Sequence, residues 1–339
     1  MKNLLLLFSI VSLSCSFNPD KTTEITVTTP EAELVVNSFT DSTFFTKISG
    51  IVSSEADKSI FFIDQNMGAI YHTDLTLNLK KTIGKVGSGP NEVNTPTQAY
   101  LENKHLYVYD GTLSKIMSYP MNSRAESASV HDFRFKHYGL GNFFIRDSMV
   151  YFNERNVDPP LLKYSLADLS VEQEFGLPAK EGLNTPKRHL ITLKSGMLSV
   201  YAENIPIIEY YDYSGNLIDS FDFSDYPLFK DRFTVDPSKS SRIKGVTSQT
   251  IVRYTNFIWD AKLVDDKLYL LALSKKDETS AQSNTVLVLD WADEKLAIVK
   301  QINLPKKGWY SRFTVLENSK DIVAFDEVNG TVEIFSSKD

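Results

Sequence analysis

The residues in this chain best suited to chemistry are its five histidines, His72, His105, His131, His137 and His189. An imidazole can act as a general base or a metal ligand. None of the five stands in the H-x-x-x-H or H-x-H spacing that places two imidazoles on one zinc ion. His131 and His137 are divided by the strand-like FRF. No G-x-S-x-G elbow exposes a serine nucleophile, and no D-x-D-x-D-G loop supplies consecutive calcium oxygens. No cofactor and no metal site are expected. The recurring Asp64, Asp110 and Asp326 each end a similar short segment. They are read as turn caps, accepting backbone N–H groups two residues on.

The second chemical signal is aromatic and arginine-rich. Gln98, Asn142, Arg188, His189, Trp259, Asp260, Trp309, Tyr310 and Arg312 all fall near the beginnings of strand-like segments, and Arg155 follows another. Tryptophan, tyrosine and arginine are the residues that dominate binding hot spots. These ten are taken as a candidate binding surface; the competing reading of the tryptophans is packing between layers.

What positions them is a pattern that returns six times: IFFID (60–64), LYVYD (106–110), MVYFN (149–153), LSVYA (198–202), LYLLA (268–272) and IVAFD (322–326). Short strands repeating at about 40–50 residues mark the blades of a β-propeller. Around the second copy, TQAYLE, LYVYD, KIMSYPM and SASVHDF read as four strands, separated by Asn103, Gly111 and Asn122-Ser123. Around the fourth, Ser214-Gly215-Asn216 is a hairpin turn. The last unit lacks a fourth strand, while EITVTT and AELVV near the beginning of the chain lack a blade. The expectation is an all-β, six-bladed propeller over residues 24–339, closed by that N-terminal segment, which would remove a bare sheet edge. Asn329-Gly330 is read as another hairpin turn.

Between the fourth and fifth copies the interval widens to 70 residues. The excess, about 224–256, is an insert. It mixes Lys230, Arg232, Lys239, Arg242, Lys244 and Arg253 with Tyr226, Phe229, Phe233 and Tyr254. Long ordered loops are often functional, and this one is expected to fold over the tunnel mouth.

The segment IGKVGSGPNEV (83–93), with LYVYD downstream, resembles NHL-type repeats and, more closely, the six-bladed TolB-like propeller lipoproteins of Bacteroidetes. The matching residues are Gly87, Gly89, Pro90 and Glu92. A phosphate loop is excluded, because Gly-Lys-Ser/Thr is absent and no helix follows. The glycines are expected to make a tight inter-blade turn, with Glu92 accepting backbone N–H groups in it. The resemblance implies a fold and a location rather than a reaction. Fold analogy also admits a calcium-dependent hydrolase of the lactonase type, with Asn142 and Asp260 as ligands and His189 as base.

The first fifteen residues, MKNLLLLFSIVSLSC, hold Lys2, a short apolar core and the only cysteine, Cys15. The core is too short to span a bilayer and fits a secretory signal. Ser14-Cys15 resembles a lipobox, implying a lipid on Cys15, a polar tether over 16–23 and a place in the periplasm or at the cell surface. Ser12 departs from the usual Leu or Val, and Ser12 with Ser14 also suits ordinary cleavage and free secretion. The net charge is −7. An acidic chain without Lys/Arg runs argues against nucleic acid and against an electrostatic hold on anionic lipid. The sequence reading is therefore a lipid-anchored, non-enzymatic binding or scaffold module for an envelope protein, peptide or glycan.

Overall fold

The computed structural model describes residues 25–39, 43–89, 92–121, 129–132, 141–154, 157–177, 187–203, 206–233, 257–275, 281–305 and 308–336. Two short strands come first, β1 (Thr26–Thr28) and β2 (Ala32–Val36). Six sheets follow. Blade 1 holds β3 (Ile48–Ser54), β4 (Ser59–Asp64), β5 (Ala69–Thr73) and β6 (Leu79–Ile83). Blade 2 holds β7 (Pro96–Glu102), β8 (His105–Asp110), β9 (Lys115–Pro120) and β10 (Ser129–Asp132). Blade 3 holds β11 (Phe144–Arg146), β12 (Met149–Asn153), β13 (Leu161–Ser165) and β14 (Val171–Phe175). Blade 4 holds β15 (Arg188–Thr192), β16 (Met197–Tyr201), β17 (Ile207–Tyr211) and β18 (Leu217–Asp222). A helix, α1 (Pro227–Phe233), precedes blade 5, which holds β19 (Ile258–Val264), β20 (Lys267–Lys275), β21 (Ala281–Ala292) and β22 (Lys295–Asn303). Blade 6 holds β23 (Tyr310–Val315), β24 (Ile322–Asp326) and β25 (Thr331–Phe335).

The repeated motif is the second strand of each blade. β4, β16 and β24 are buried along their whole length, because each is covered by a blade on both faces. The outer strands β6 and β18 are largely exposed. Six apolar clusters lie one between each pair of neighbouring blades, including Phe45 and Ile48 of the blade 1 side against Val323 and Phe325 of blade 6. The inner strands β3, β7, β11, β15, β19 and β23 touch in cyclic order. The molecule is a six-bladed β-propeller in which each blade buries its faces on its neighbours rather than in one central core.

The N-terminal strands divide their pairing. β2 runs antiparallel to β25 and is the fourth strand of blade 6. β1 does not join it: it pairs in parallel with β22 and adds a fifth strand to blade 5. The insert also departs from expectation. Residues 224–233 form a turn and α1, and Phe229 is buried in the cluster between blades 4 and 5. Tyr226 donates to Gln301 on β22 at 3.0 Å. This part of the insert is a wedge between blades rather than a cover for the tunnel; residues 234–256 lie outside the described residues.

Candidate functional site

Four inner strands slip register at the same place, between Ile48 and Gly50, Pro96 and Gln98, Ile258 and Asp260, and Tyr310 and Arg312. Such bulges re-aim side chains near functional faces. The residue after each slip pairs with the fourth position of the repeated motif: Gly50 with Ile63, Gln98 with Tyr109, Asp260 with Leu271 and Arg312 with Phe325. Gln98, Asp260 and Arg312 therefore stand at one level around the axis.

Hydrogen bonds tie Asn142 and His189 into the same throat. Asn142 of blade 3 reaches across to blade 5, donating to the Asp260 carboxylate at 3.0 Å and the Ala261 carbonyl at 3.1 Å. Its backbone N–H donates to His189 Nδ1 at 3.4 Å. Arg312 of blade 6 donates to the Ser49 carbonyl of blade 1 at 2.6 Å and the Trp259 carbonyl of blade 5 at 3.3 Å. The tunnel is thus plugged by polar side chains that cross from blade to blade. Sequence reasoning missed two cations in the plug. Lys262 lies 3.4 Å from the Asp260 carboxylate. Lys187 is pushed down to about 8 by burial and by the Arg312 charge.

Burial opposes the charged form of Asp260, yet the Lys262 and Arg312 charges and the Asn142 hydrogen bond together hold its carboxyl below the usual range. Burial drives His189 far below the ordinary imidazole value, with Lys187 adding to the effect, so it is neutral. Among the described residues no group completes a hydrogen bond to Gln98 Oε1, and the Ile258 backbone is the hydrogen-bonding neighbour of the His189 ring; a buried polar atom such as Gln98 Oε1 is commonly bridged by water.

The remaining sequence candidates are placed differently. Arg188 is fully buried and turned away from the tunnel. It pairs with Glu209 at 2.7 Å, stacks over Tyr201 at 4.1 Å and donates to the Leu177 carbonyl. Tyr310 is buried, donates to Glu333 at 2.8 Å and packs on Phe335. Both are internal supports of a blade rather than ligand contacts. Trp259 and Trp309 meet edge to face at 5.7 Å, half-buried beside the Arg312 end of the plug. Arg155, Pro90 and Cys15 lie outside the described residues.

The carboxylates in the repeated motif act as caps. Asp64 accepts from the backbone N–H groups of Thr46, Lys47, Asn66 and Met67. Asp110 accepts from those of Asn94, Thr95, Thr112 and Leu113, and Asp326 from those of Trp309, Val328 and Asn329. Each joins the approach to an inner strand to the next hairpin turn. In the glycine-rich segment Gly87 has φ +155°, and the Glu92 carboxylate accepts the Gly89 N–H at 2.9 Å while pairing with Lys85 at 3.1 Å.

A calcium centre fits this throat poorly. Asn142 and Asp260 do converge, but the carboxylate already receives N–H groups from Asn142, Ala261 and Phe313. The Lys262 ammonium occupies the neighbourhood where a cation would bind. Among the described residues no group of three or more His, Cys, Asp and Glu is arranged to hold a metal ion.

Beyond the plug, along the second halves of the inner strands, the tunnel opens into a cavity of about 400 Å³. All six blades line it. The walls are mixed: Val52, Ala99, Leu101, Leu263 and Val264 present half-buried apolar groups, Asn142 and Lys262 lie where the cavity meets the plug, and Ile51, Phe143, Leu190, Ile191 and Val315 border it with side chains buried in the inter-blade cores. Tyr100, Thr192, Ser53 and Thr314 add hydroxyls, and Glu55, Asp265 and Glu317 stand towards the turns that end the inner strands. This is within the size range of ligand cavities. It opens at the end opposite to the strand beginnings singled out from sequence.

Fold and throat together define a β-propeller with a plugged axial tunnel. The chain belongs to the family described as 6-bladed beta-propeller, DUF5128, whose model matches residues 39–245. A DUF4221 family member from Bacteroides vulgatus has a similar structure, at 11% identity and TM-score 0.58, covering 91% of this chain and 97% of that one. A Bacteroides fragilis protein described as exported gives 12% identity and TM-score 0.57, covering 93% and 100%. The β-propeller domain of Cps50 (Swd1) from Myceliophteria thermophila gives 8% and 0.52, covering 91% and 100%. At these identities the likeness concerns the fold. No curated protein matches the chain.

Proposed function

We propose that the protein is a non-enzymatic recognition module of the cell envelope, related to the TolB-like and NHL-like propeller lipoproteins and held to a membrane by a lipid on Cys15. In this reading its partner, an envelope protein, peptide or glycan, engages the axial tunnel. The observation that carries the reading is the cavity lined by all six blades. The plug supports it too, since the throat carboxylate is saturated with donors and offers no free catalytic oxygen. Export is supported by the signal-like leader and by a structural neighbour described as exported. Among the described residues no helix is long and apolar enough to cross a membrane.

The test is affinity capture from native membranes with the wild-type chain and with Ala99→Trp, which fills the cavity. A stoichiometric partner held by the wild type and lost by the variant is the expected result. Should Ala99→Trp fail to fold, Ser53→Phe blocks the same space nearer the turns. A partner retained by a folded, blocked variant overturns the tunnel as the binding site.

A further inference from the structure

The tunnel cavity is asymmetric in charge, and the asymmetry says what it would accept. Its three acidic side chains come from three consecutive blades around the ring: Asp265 from blade 5, Glu317 from blade 6 and Glu55 from blade 1. Asp265 is bridged to Lys320, and Glu55 accepts the backbone N–H of Asn318 at 2.8 Å. Glu317 and Asp265 are exposed and Glu55 is half-buried. Among the described residues the one cation lining the cavity, Lys262, has its charge met by Asp260. Even with Lys320 offsetting Asp265, the turn end keeps an arc of excess negative charge from Glu317 and Glu55, above a shaft whose accessible apolar groups are those of Val52, Ala99, Leu101, Leu263 and Val264.

Resting on the tunnel reading above, we infer that the partner is a basic peptide segment: an apolar side-chain tip enters the shaft while flanking lysine or arginine groups meet Asp265, Glu317 and Glu55. The half-buried apolar groups of Val52, Ala99, Leu101, Leu263 and Val264 reward burial of the tip in proportion to the area removed from water. The rim carboxylates select charge and accelerate encounter, as exposed complementary charges do. A neutral glycan would gain no charge–charge attraction from this arc, and a carboxylate-bearing ligand would be repelled by it.

The experiment uses the mature chain and three fluorescein-labelled peptides with the same Leu-Phe-Leu tip, flanked by two lysines, two glutamines or two glutamates. Fluorescence anisotropy at low salt should rank them lysine, glutamine, glutamate. The lysine-to-glutamine gap should be about tenfold, the size expected from a few exposed ion pairs acting together. In Glu55→Gln/Asp265→Asn/Glu317→Gln the three affinities should converge, and Ser53→Phe should abolish all binding. Raising the salt should shrink the gap, because these charges are exposed to screening. Equal binding of the three peptides, or a preference for glutamate, overturns the basic partner while leaving the tunnel reading intact. Binding of none overturns the peptide. Binding that survives Ser53→Phe overturns the cavity itself. If the triple variant fails to fold, Glu317→Gln alone, at an exposed position, should narrow the same gap in part.

Discussion

His189 shows what burial does to one side chain in the plug. The unfolded chain binds a proton at this imidazole near 6.5, whereas the folded protein does so only far lower. On acidification the unfolded state therefore takes up protons first. The stability contributed by the neutral ring is whole above about 6.5 and is lost as the pH falls below it. His72 acts in the same direction, lowered to about 4 by burial and by Lys80 and Lys81. We expect the melting temperature of the wild type to fall between about pH 7 and pH 5, and His189→Gln to fall less. Parallel curves for the two proteins would show that His189 does not carry the acid sensitivity. The sequence reading found Gln98, Asn142, His189, Asp260 and Arg312 because the repeat showed where inner strands begin. It could not separate them from Arg188 and Tyr310, since neighbouring residues on a strand face opposite sides and a bulge shifts the alternation without changing composition.

At the scale of elements, the plug depends on how blade 3 approaches blade 4. Gly141 has φ +91°, and a Cβ there would stand 1.8 Å from the Arg188 carbonyl oxygen. Only glycine lets the backbone come so close, and this contact delivers Asn142 to Asp260. Gly141→Ala combines left-handed strain with a backbone clash, for an expected loss of about 2–4 kcal/mol. Urea unfolding should report that loss, and a smaller change would mean that the blades can part without cost. Strand positions in blades 2, 4 and 6 were legible, because buried second strands carry an unbroken apolar signature. α1 was not: its seven residues fall within a stretch whose basic and aromatic mixture looks the same whether Phe229 is a wedge or a surface group. The cavity was also hidden, since apolar residues such as Val52 and Leu263 read as core whether they face a neighbour or an empty shaft.

For the whole molecule, the ring rests on six inter-blade cores, and the one between blades 6 and 1 includes Leu34 and Val36 from β2. The lone unassigned segment in the sequence foretold a strand for blade 6, but nothing in its alternation told β1 from β2, and the split between two blades follows from tertiary pairing. A chain lacking residues 1–37 would leave β25 as an unpaired edge and uncover part of that core. Exposed flat edges pair with other chains. We therefore expect the shortened chain to self-associate in light scattering and to melt earlier than a chain lacking only residues 1–24, which keeps both strands. A synthetic peptide spanning residues 30–37 should reverse part of the loss by binding the vacant edge, since any ligand of the folded state raises its stability by mass action. A shortened chain that stays monomeric and melts with the longer one would mean that the three-stranded blade 6 holds the ring by its inner strands alone.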